Sequence, residues 1–472
     1  MNVARSSLKL FLSNVANAGI QFLGIVYFAR ELGATQMGIF FLFQVVLGLL
    51  TIPADFGIRG AIQKRVSEGK SRRKYLSSAI VLKLVPISVI ILGILILQSY
   101  INSYVGAAVT VLLAVALLLR EASQLSIATL SGELRVGETA ILNVTKNVIW
   151  VVTGSVLIQF GLEAEALIYG LLAGMGFVTL WGWHKVSVSP GMPSRYHTRS
   201  LFEYSKYSVV SSIGGYLYSW TDVAVIGLFL TRAHVGAYEI AWRVSAVSIL
   251  FSRALASTIF PQVSEWEAKD ARERIEKLIT RTMGPSLFLV IPAFFGTGLL
   301  SEEILTLVFD EEYAIAALVL ALLMGDKVFQ AIQLIIGRSL QAIDKPDLAA
   351  RAAITSLGVN IVLNVIFVLQ FGILGAAVAT VISSLLNDFL HYIYLRRFIT
   401  IRFPKREIIE CVLASGLMSV ILYILILIYS IQHITTLFLY IIFSMFVYAT
   451  AVLLMPNLRA RVFEVIERVG IR

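Results

Sequence analysis

The chain has 472 residues, of which 58% are hydrophobic and only 14% charged, with a mean hydropathy of +0.84. So little polar surface excludes a soluble globular protein and leaves no room for a sizeable soluble domain. The net charge of +10 is the mark of a membrane topology, because nucleic-acid binding would need a basic face on a folded soluble module.

The first apolar run, Leu8 to about Phe28, is as long as a full span and lacks a small-residue cleavage site, so it is expected to stay as the first helix. Apolar runs of about 20 residues, each able to cross about 30 Å of hydrocarbon, then recur to the end of the chain. About fourteen spans are expected, centred near Ile20, Val46, Ile90, Leu113, Ile149, Gly174, Leu217, Ser248, Pro292, Leu323, Leu363, Ile382, Ile421 and Phe443. Pro53, Pro86, Pro285 and Pro292 fall inside spans, where the carbonyls they free must find partners in protein or water. Gly170-x-x-x-Gly174 and the run from Gly372 to Thr380 read as surfaces of close helix packing. The charged stretch from Ser264 to Arg281 reads as a solvated linker helix, and the tail from Arg459 to Arg472 as a short interfacial helix. The one cysteine, Cys411, cannot form an internal disulfide.

Lys and Arg concentrate in alternate loops. Arg59, Lys64, Arg65, Lys70, Arg72, Arg73 and Lys74 lie on one side, with Lys185 to Lys206, Lys269 to Arg281 and Arg396 to Arg406, whereas the opposite loops hold Glu163, Glu165, Glu302, Glu303 and Asp310 to Glu312. By the positive-inside rule the basic side is cytoplasmic, and both termini lie there. Weak internal echoes accompany this alternation. Arg30-x-Leu-Gly33 to Gly38 returns in Leu230 to Gly236, Val66-Ser-Glu in Val263-Ser-Glu, and Gln159-Phe-Gly161-Leu in Gln370-Phe-Gly372-Ile. The expected fold class is an all-α polytopic membrane protein with two six-helix lobes related by this repeat and a C-terminal helix pair. The lobes are expected over residues 1–200 and 201–400, with the final pair and an amphipathic tail over 401–472. A repeat of this kind places a site at the lobe interface, near the midplane.

Several motifs carry a family resemblance: Ile291-Pro-Ala-Phe-Phe-Gly296, Glu303-Ile-Leu-Thr-Leu-Val-Phe-Asp-Glu-Glu-Tyr313, Leu340-Gln-Ala-Ile-Asp-Lys-Pro346, Asn360-Ile-Val-Leu-Asn364 and Phe371-Gly-Ile-Leu-Gly-Ala-Ala-Val-Ala-Thr380. With Arg30-x-Leu-Gly33 and Asp222-x-x-x-Ile-Gly227 they resemble the polysaccharide transporter family, the Wzx-type lipid-linked oligosaccharide flippases of the multidrug/oligosaccharidyl-lipid/polysaccharide (MOP) exporter superfamily. Asp310 departs from the pattern, which has glycine there. The resemblance implies a flippase that moves a polyprenyl-(di)phosphate-linked oligosaccharide to the outer leaflet of the cell membrane by alternating access. It implies no catalytic group or cofactor, with H+ or Na+ as candidate coupling ions and membrane lipids and glycan-assembly enzymes as candidate partners.

Ionisable groups within spans are the candidate site residues, since each costs roughly 2.5 to 3.5 kcal/mol at the centre of a span and needs a polar cavity or a partner. By helical rise, Arg59, Lys83, Lys146, Arg253 and Lys327 fall toward the cytoplasmic side with Asp55, Asp326 and Asp388, and Arg30, Asp222, Glu239 and Arg243 toward the outside. The inner part is net positive, as capture of a diphosphate requires, and arginine matches phosphate through its planar fork. Lys146, Arg243, Arg253, Lys83, Arg59, Arg30 and Lys327 are therefore the candidate substrate-binding bases, and Asp222, Glu239, Asp388 and Asp55 the candidate gating or ion-coupling acids. Simpler readings stand beside these: Lys83 snorkelling to an interface, Arg59 and Arg30 as interface anchors, Asp326 and Lys327 as a structural pair, and Asp222, Glu239 and Arg243 as a static ion pair. The five histidines are scattered, so no metal constellation is expected, and no phosphate-cradling loop of the nucleotide-hydrolysing kind is present. Two other functions remain open from the residues: a cation-coupled drug exporter of the same superfamily, and a membrane glycosyltransferase or polymerase using Glu302, Glu303 and Asp310 to Glu312.

Overall fold

The computed structural model describes residues 3–469, without the side chains of 3–15, 207–219, 462 and 464–469. Expectations that rest on the side chains of Leu217, Val462, Val465, Ile466 and Val469, or on Arg472, lie outside the described residues. Every regular element among the described residues is a helix, and the chain divides into two compact units, Met1–Gly236 and Ala237–Arg472. The first unit ends at Gly236, and the second includes the C-terminal helix pair.

The first unit holds α1 (Val3–Asp55), α2 (Ile58–Ser67), α3 (Arg72–Ile96), α4 (Gln98–Val105), α5 (Thr110–Gly132), α6 (Val136–Gln159), α7 (Ala164–Lys185) and α8 (Arg195–Phe229), with the start of α9 (Arg232–Ser248). The second continues with α10 (Leu250–Glu267), α11 (Arg272–Leu287), α12 (Val290–Val308), a 3-10 turn at Glu311–Ala316, α13 (Ala317–Ala342), α14 (Pro346–Leu395), α15 (Lys405–Ile428), α16 (Ile434–Leu454) and α17 (Pro456–Val469). Among the described residues ten continuous helices are long and apolar enough to cross a membrane, and the pair α9 and α10 adds an eleventh candidate. Two of the ten are double-length. α1 turns at Gly33, with φ 75°, and α14 at Gly372, with φ 61°, both where the sequence places a loop between spans. A side chain rarely adopts this backbone conformation, which is why glycine stands at both turns.

The repeat has a counterpart in local backbone. Gly161 and Gly372, the glycines of the two Gln-Phe-Gly motifs, both take positive φ. Leu134, between α5 and α6, and Asp344, between α13 and α14, also share it at φ 63° and 57°. The eighth expected span is not one straight helix: α9 and α10 meet at a bend of 52°. Neither glycine nor proline stands at the junction. Instead the Ser245 and Ser248 hydroxyls donate to the carbonyls of Trp242 and Ser245, each at 2.8 Å, and compete there with the helix's own N–H groups. The expected linker helix is also broken, at Asp270 with φ 52°, although Lys277 and Glu273 pair as the spacing predicts, at 2.6 Å. Asp is among the few side chains that tolerate the left-handed region.

Close packing explains the small residues. A Cβ on Gly170 would stand 2.7 Å from the Trp150 carbonyl oxygen, and one on Gly174 2.6 Å from that of Lys146, so α6 and α7 approach on a glycine face. Gly236 is likewise pressed against the Ala34 carbonyl, and Gly38 against that of Arg232, so the two echoed turns hold each other through their glycines. Overpacking of this kind costs about 1 to 3 kcal/mol, so Gly174→Leu should lower the thermal midpoint of purified protein while Gly176→Leu, in open space, leaves it unchanged. Fluorescence-detected thermal unfolding in detergent reads the difference.

Candidate functional site

In the first unit four charges meet. α1 ends at Asp55, and Phe56 and Gly57 follow with φ of 45° and 75°, a sharp break before α2. The break leaves Asp55 facing α3, where Lys83 Nζ donates to its Oδ1 at 2.6 Å. Lys83 also pairs with Glu121 of α5, while Arg59 of α2 reaches Asp55 at 3.1 Å and Gln124 Oε1 at 3.4 Å. The side chains of Lys83 and Glu121 are 4% and 2% exposed. Lys83 therefore does not snorkel, and its ammonium is occupied by two carboxylates. Glu121 is absent from the sequence-based set, as is Arg120 beside it. The signal was available: two adjacent charges inside the otherwise apolar run of α5 need partners by the same argument that singled out Lys83. Among these four groups two acids balance two bases.

Lys146 differs. It is half-buried on α6, its stem lies over Gly174 of α7, and among the described residues no carboxylate pairs with it. Its neighbour Asn147 donates to Asn17 of α1 at 2.6 Å, which ties α6 to α1 beside the lysine. Arg30 is exposed on α1, one turn before Gly33, and Asp222 is buried on α8.

In the second unit Arg243 pairs with Glu239 one turn earlier on α9, at 2.8 Å, as the spacing predicts. Arg253 is exposed on α10, with no ion pair among the described residues. Its helix is anchored beside it, because the Ser252 hydroxyl donates to the Ser286 carbonyl at 2.6 Å. Lys327 reaches back along α13 to Asp326, at 3.0 Å, and both are buried. Asp388 lies on α14. On the same helix, Asn360 donates to Ser383 at 3.0 Å and so joins the halves of α14 before and after Gly372, while Asn364 donates to the Asn360 carbonyl one turn back at 3.1 Å. The structure thus brings together Arg59, Lys83 and Asp55, Glu239 and Arg243, and Lys327 with Asp326. Among the described residues no three His, Cys, Asp or Glu side chains converge to hold a metal ion.

The described residues thus form a set of apolar helices in two units, turned at glycines and carrying charges within apolar runs, the make-up of a multi-pass membrane protein. A solved structure of the lipid II flippase MurJ in an inward closed conformation superposes with a TM-score of 0.80 at 17% identity, over 94% of this chain and 98% of that one. An inward-facing multidrug resistance MATE transporter of the MOP superfamily gives 0.68 at 15% identity, over 82% of this chain and 94% of its own. The family described as "polysaccharide biosynthesis protein" matches residues 27–318, and that of the lipid II flippase MurJ residues 198–449. The probable low-salt glycan biosynthesis flippase Agl15 of Haloferax volcanii is 53% identical over 98% of this chain and 98% of its own. The chain belongs to the polysaccharide biosynthesis family of MOP-superfamily flippases. Its relatives are flippases and transporters, not catalysts, which sets aside the glycosyltransferase and polymerase reading.

Removing one partner of a buried pair costs about 3 to 5 kcal/mol, so Lys83→Met should strongly destabilise the protein. Combining it with Asp55→Asn and Glu121→Gln should return most of that stability. Membrane yield and thermal midpoint of the single and triple variants provide the check.

Proposed function

We propose that this chain moves a polyprenyl-(di)phosphate-linked oligosaccharide from the cytoplasmic to the outer leaflet of the cell membrane by alternating access, for assembly of a surface glycan, with both termini in the cytoplasm. The sugars and phosphates cannot cross hydrocarbon unaided, since every hydroxyl would lose its hydrogen bonds and the phosphate its hydration. A wet, basic path removes most of that barrier while the polyprenyl tail stays in lipid. No bond is made or broken, so no catalytic group is called for.

The observation that carries the reading is Lys146 and Arg253, two bases on apolar helices with no acidic partner among the described residues. A cation left unpaired at that depth supports an anionic ligand, and each is proposed as a phosphate-binding base. Arg243, Lys83, Arg59 and Lys327 have carboxylate partners within their own units, so their proposed part is to shape the field along the path. Arg30, exposed near the outer turn, is proposed as a base at the exit. Asp222, Glu239, Asp388 and Asp55 are the proposed gating or ion-coupling acids.

Replacing Lys146 and Arg253 together by Ala should abolish export while leaving the protein in the membrane, and Lys70→Ala should change little. Complementation of a strain lacking the protein, with surface glycan as readout, checks both. Full complementation by the double variant would remove these two residues from the path. Outward movement of a dianion across an inside-negative potential gains roughly 2.3 kcal/mol per charge per 100 mV. Transport in proteoliposomes should therefore quicken with an imposed potential of that sign, and indifference to potential with sensitivity to a pH or sodium gradient would favour exchange.

A further inference from the structure

Where α2 ends and α3 and α8 begin, the first unit gathers bases that the transport path does not use. Arg72, Arg73 and Lys74 fill the first turn of α3, which holds no acid. The two acids close by are already engaged, Glu68 with Arg65 Nη1 at 3.0 Å and Glu203 with Lys206. Three nitrogens in this cluster, Arg65 Nε, Arg72 Nε and His197 Nδ1, are buried with no hydrogen-bond partner among the described residues.

The three come from three helices and meet around one ring. Tyr75, 7% exposed, has the Arg65 guanidinium 5.7 Å from its ring centre and His197 edge-on to it at 4.6 Å. Arg72 folds back over the turn after α2, its Nη2 3.7 Å from where a Cβ on Gly69 would stand, beside the Glu68 that Arg65 grips. His197 is not carried on a free loop. The segment between α7 and α8 is pinned to α3, because Gly191 N donates to Ser77 Oγ at 2.7 Å and that hydroxyl donates to the Gly191 carbonyl at 2.6 Å. Ser194 N donates to Ser78 Oγ at 3.4 Å, one residue before α8 starts. Burial and the charge of Lys74 hold the His197 imidazole below its usual pKa, the effect of a positive surround with no anion in it.

A buried nitrogen without an acceptor forfeits a hydrogen bond, and three of them in one basic cluster have the same complement, an anion with several acceptor oxygens. Phosphate has that form, and the planar guanidinium fork matches it. The cluster also lies where α3 begins its apolar run, long enough to cross a membrane, and so at the height of lipid headgroups. We propose that Arg65, Arg72 and His197 form a binding site for the phosphate of an anionic phospholipid at the membrane surface, with Lys74 adding to the attraction. One lipid then clamps the α2–α3 turn to the start of α8. The site does not depend on which substrate the protein moves.

The test uses purified full-length protein in detergent, with no glycolipid, titrated with phosphatidylglycerol, phosphatidylcholine or inorganic phosphate while the thermal midpoint is read. Phosphatidylglycerol should raise the midpoint, and the other two should not. Arg65→Gln combined with Arg72→Gln should weaken the apparent affinity roughly 25-fold, at about fivefold for each base near a membrane surface. Arg65→Lys combined with Arg72→Lys keeps the charge but loses the fork, and should also weaken it. Arg402→Gln combined with Arg406→Gln removes as much charge from an exposed loop of the second unit and should leave it unchanged. The altered positions are at least partly exposed, so these variants should fold, which their midpoints without lipid check. If the Lys pair binds as tightly as the unaltered protein, or the loop control weakens binding equally, surface charge alone is at work and the site is overturned. An equal response to the two lipids overturns it as well. A rise with inorganic phosphate to match phosphatidylglycerol would give these nitrogens to a free anion and overturn the lipid as ligand.

Discussion

A charge in hydrocarbon must be paired, wetted or neutralised, and most of what distinguishes this chain follows from that constraint. Its helices are ordinary in composition and could pack in many ways. The charges remove most of those ways. Lys83 can be buried only if α1 and α5 bring it Asp55 and Glu121, so the break at Phe56 and Gly57 and the register of α5 are tied to one ammonium group. A pairing of this kind selects an arrangement more than it adds net stability, because its desolvation cost offsets much of the attraction.

The same constraint separates paired charges from unpaired ones. Where acids and bases balance, as around Lys83, nothing further is needed to make the helices insertable. Where they do not, something from outside must complete the balance. Among the described residues Lys146 and Arg253 have no carboxylate partner. In the function proposed above, the phosphates of the substrate would complete that balance.

Much of the architecture was legible in the sequence. Apolar run length marks the helices, the glycines of the Gln-Phe-Gly motifs mark the turns, and Glu239 with Arg243 could be paired by helical spacing alone. The bend between α9 and α10 was hidden because serines cause it, and serine in an apolar helix does not read as a breaker. The site was less legible. Counting bases and acids by depth treats Lys83 and Lys146 alike, yet one is enclosed by carboxylates and the other is not. That difference depends on which helices are neighbours, and hydropathy carries no information about it. Glu121 was overlooked because one acid next to one base looks neutral in a count.

The most direct measurement of the central claim is the leaflet in which lipid-linked glycan accumulates when this protein is removed from its cell. Intact cells and opened membranes would be labelled with a sugar-specific, membrane-impermeant reagent and compared. A flippase predicts that complete lipid-linked glycan builds up on the cytoplasmic face and is labelled only after opening. Single glycan units accumulating outside, or no change on either face, would contradict the account.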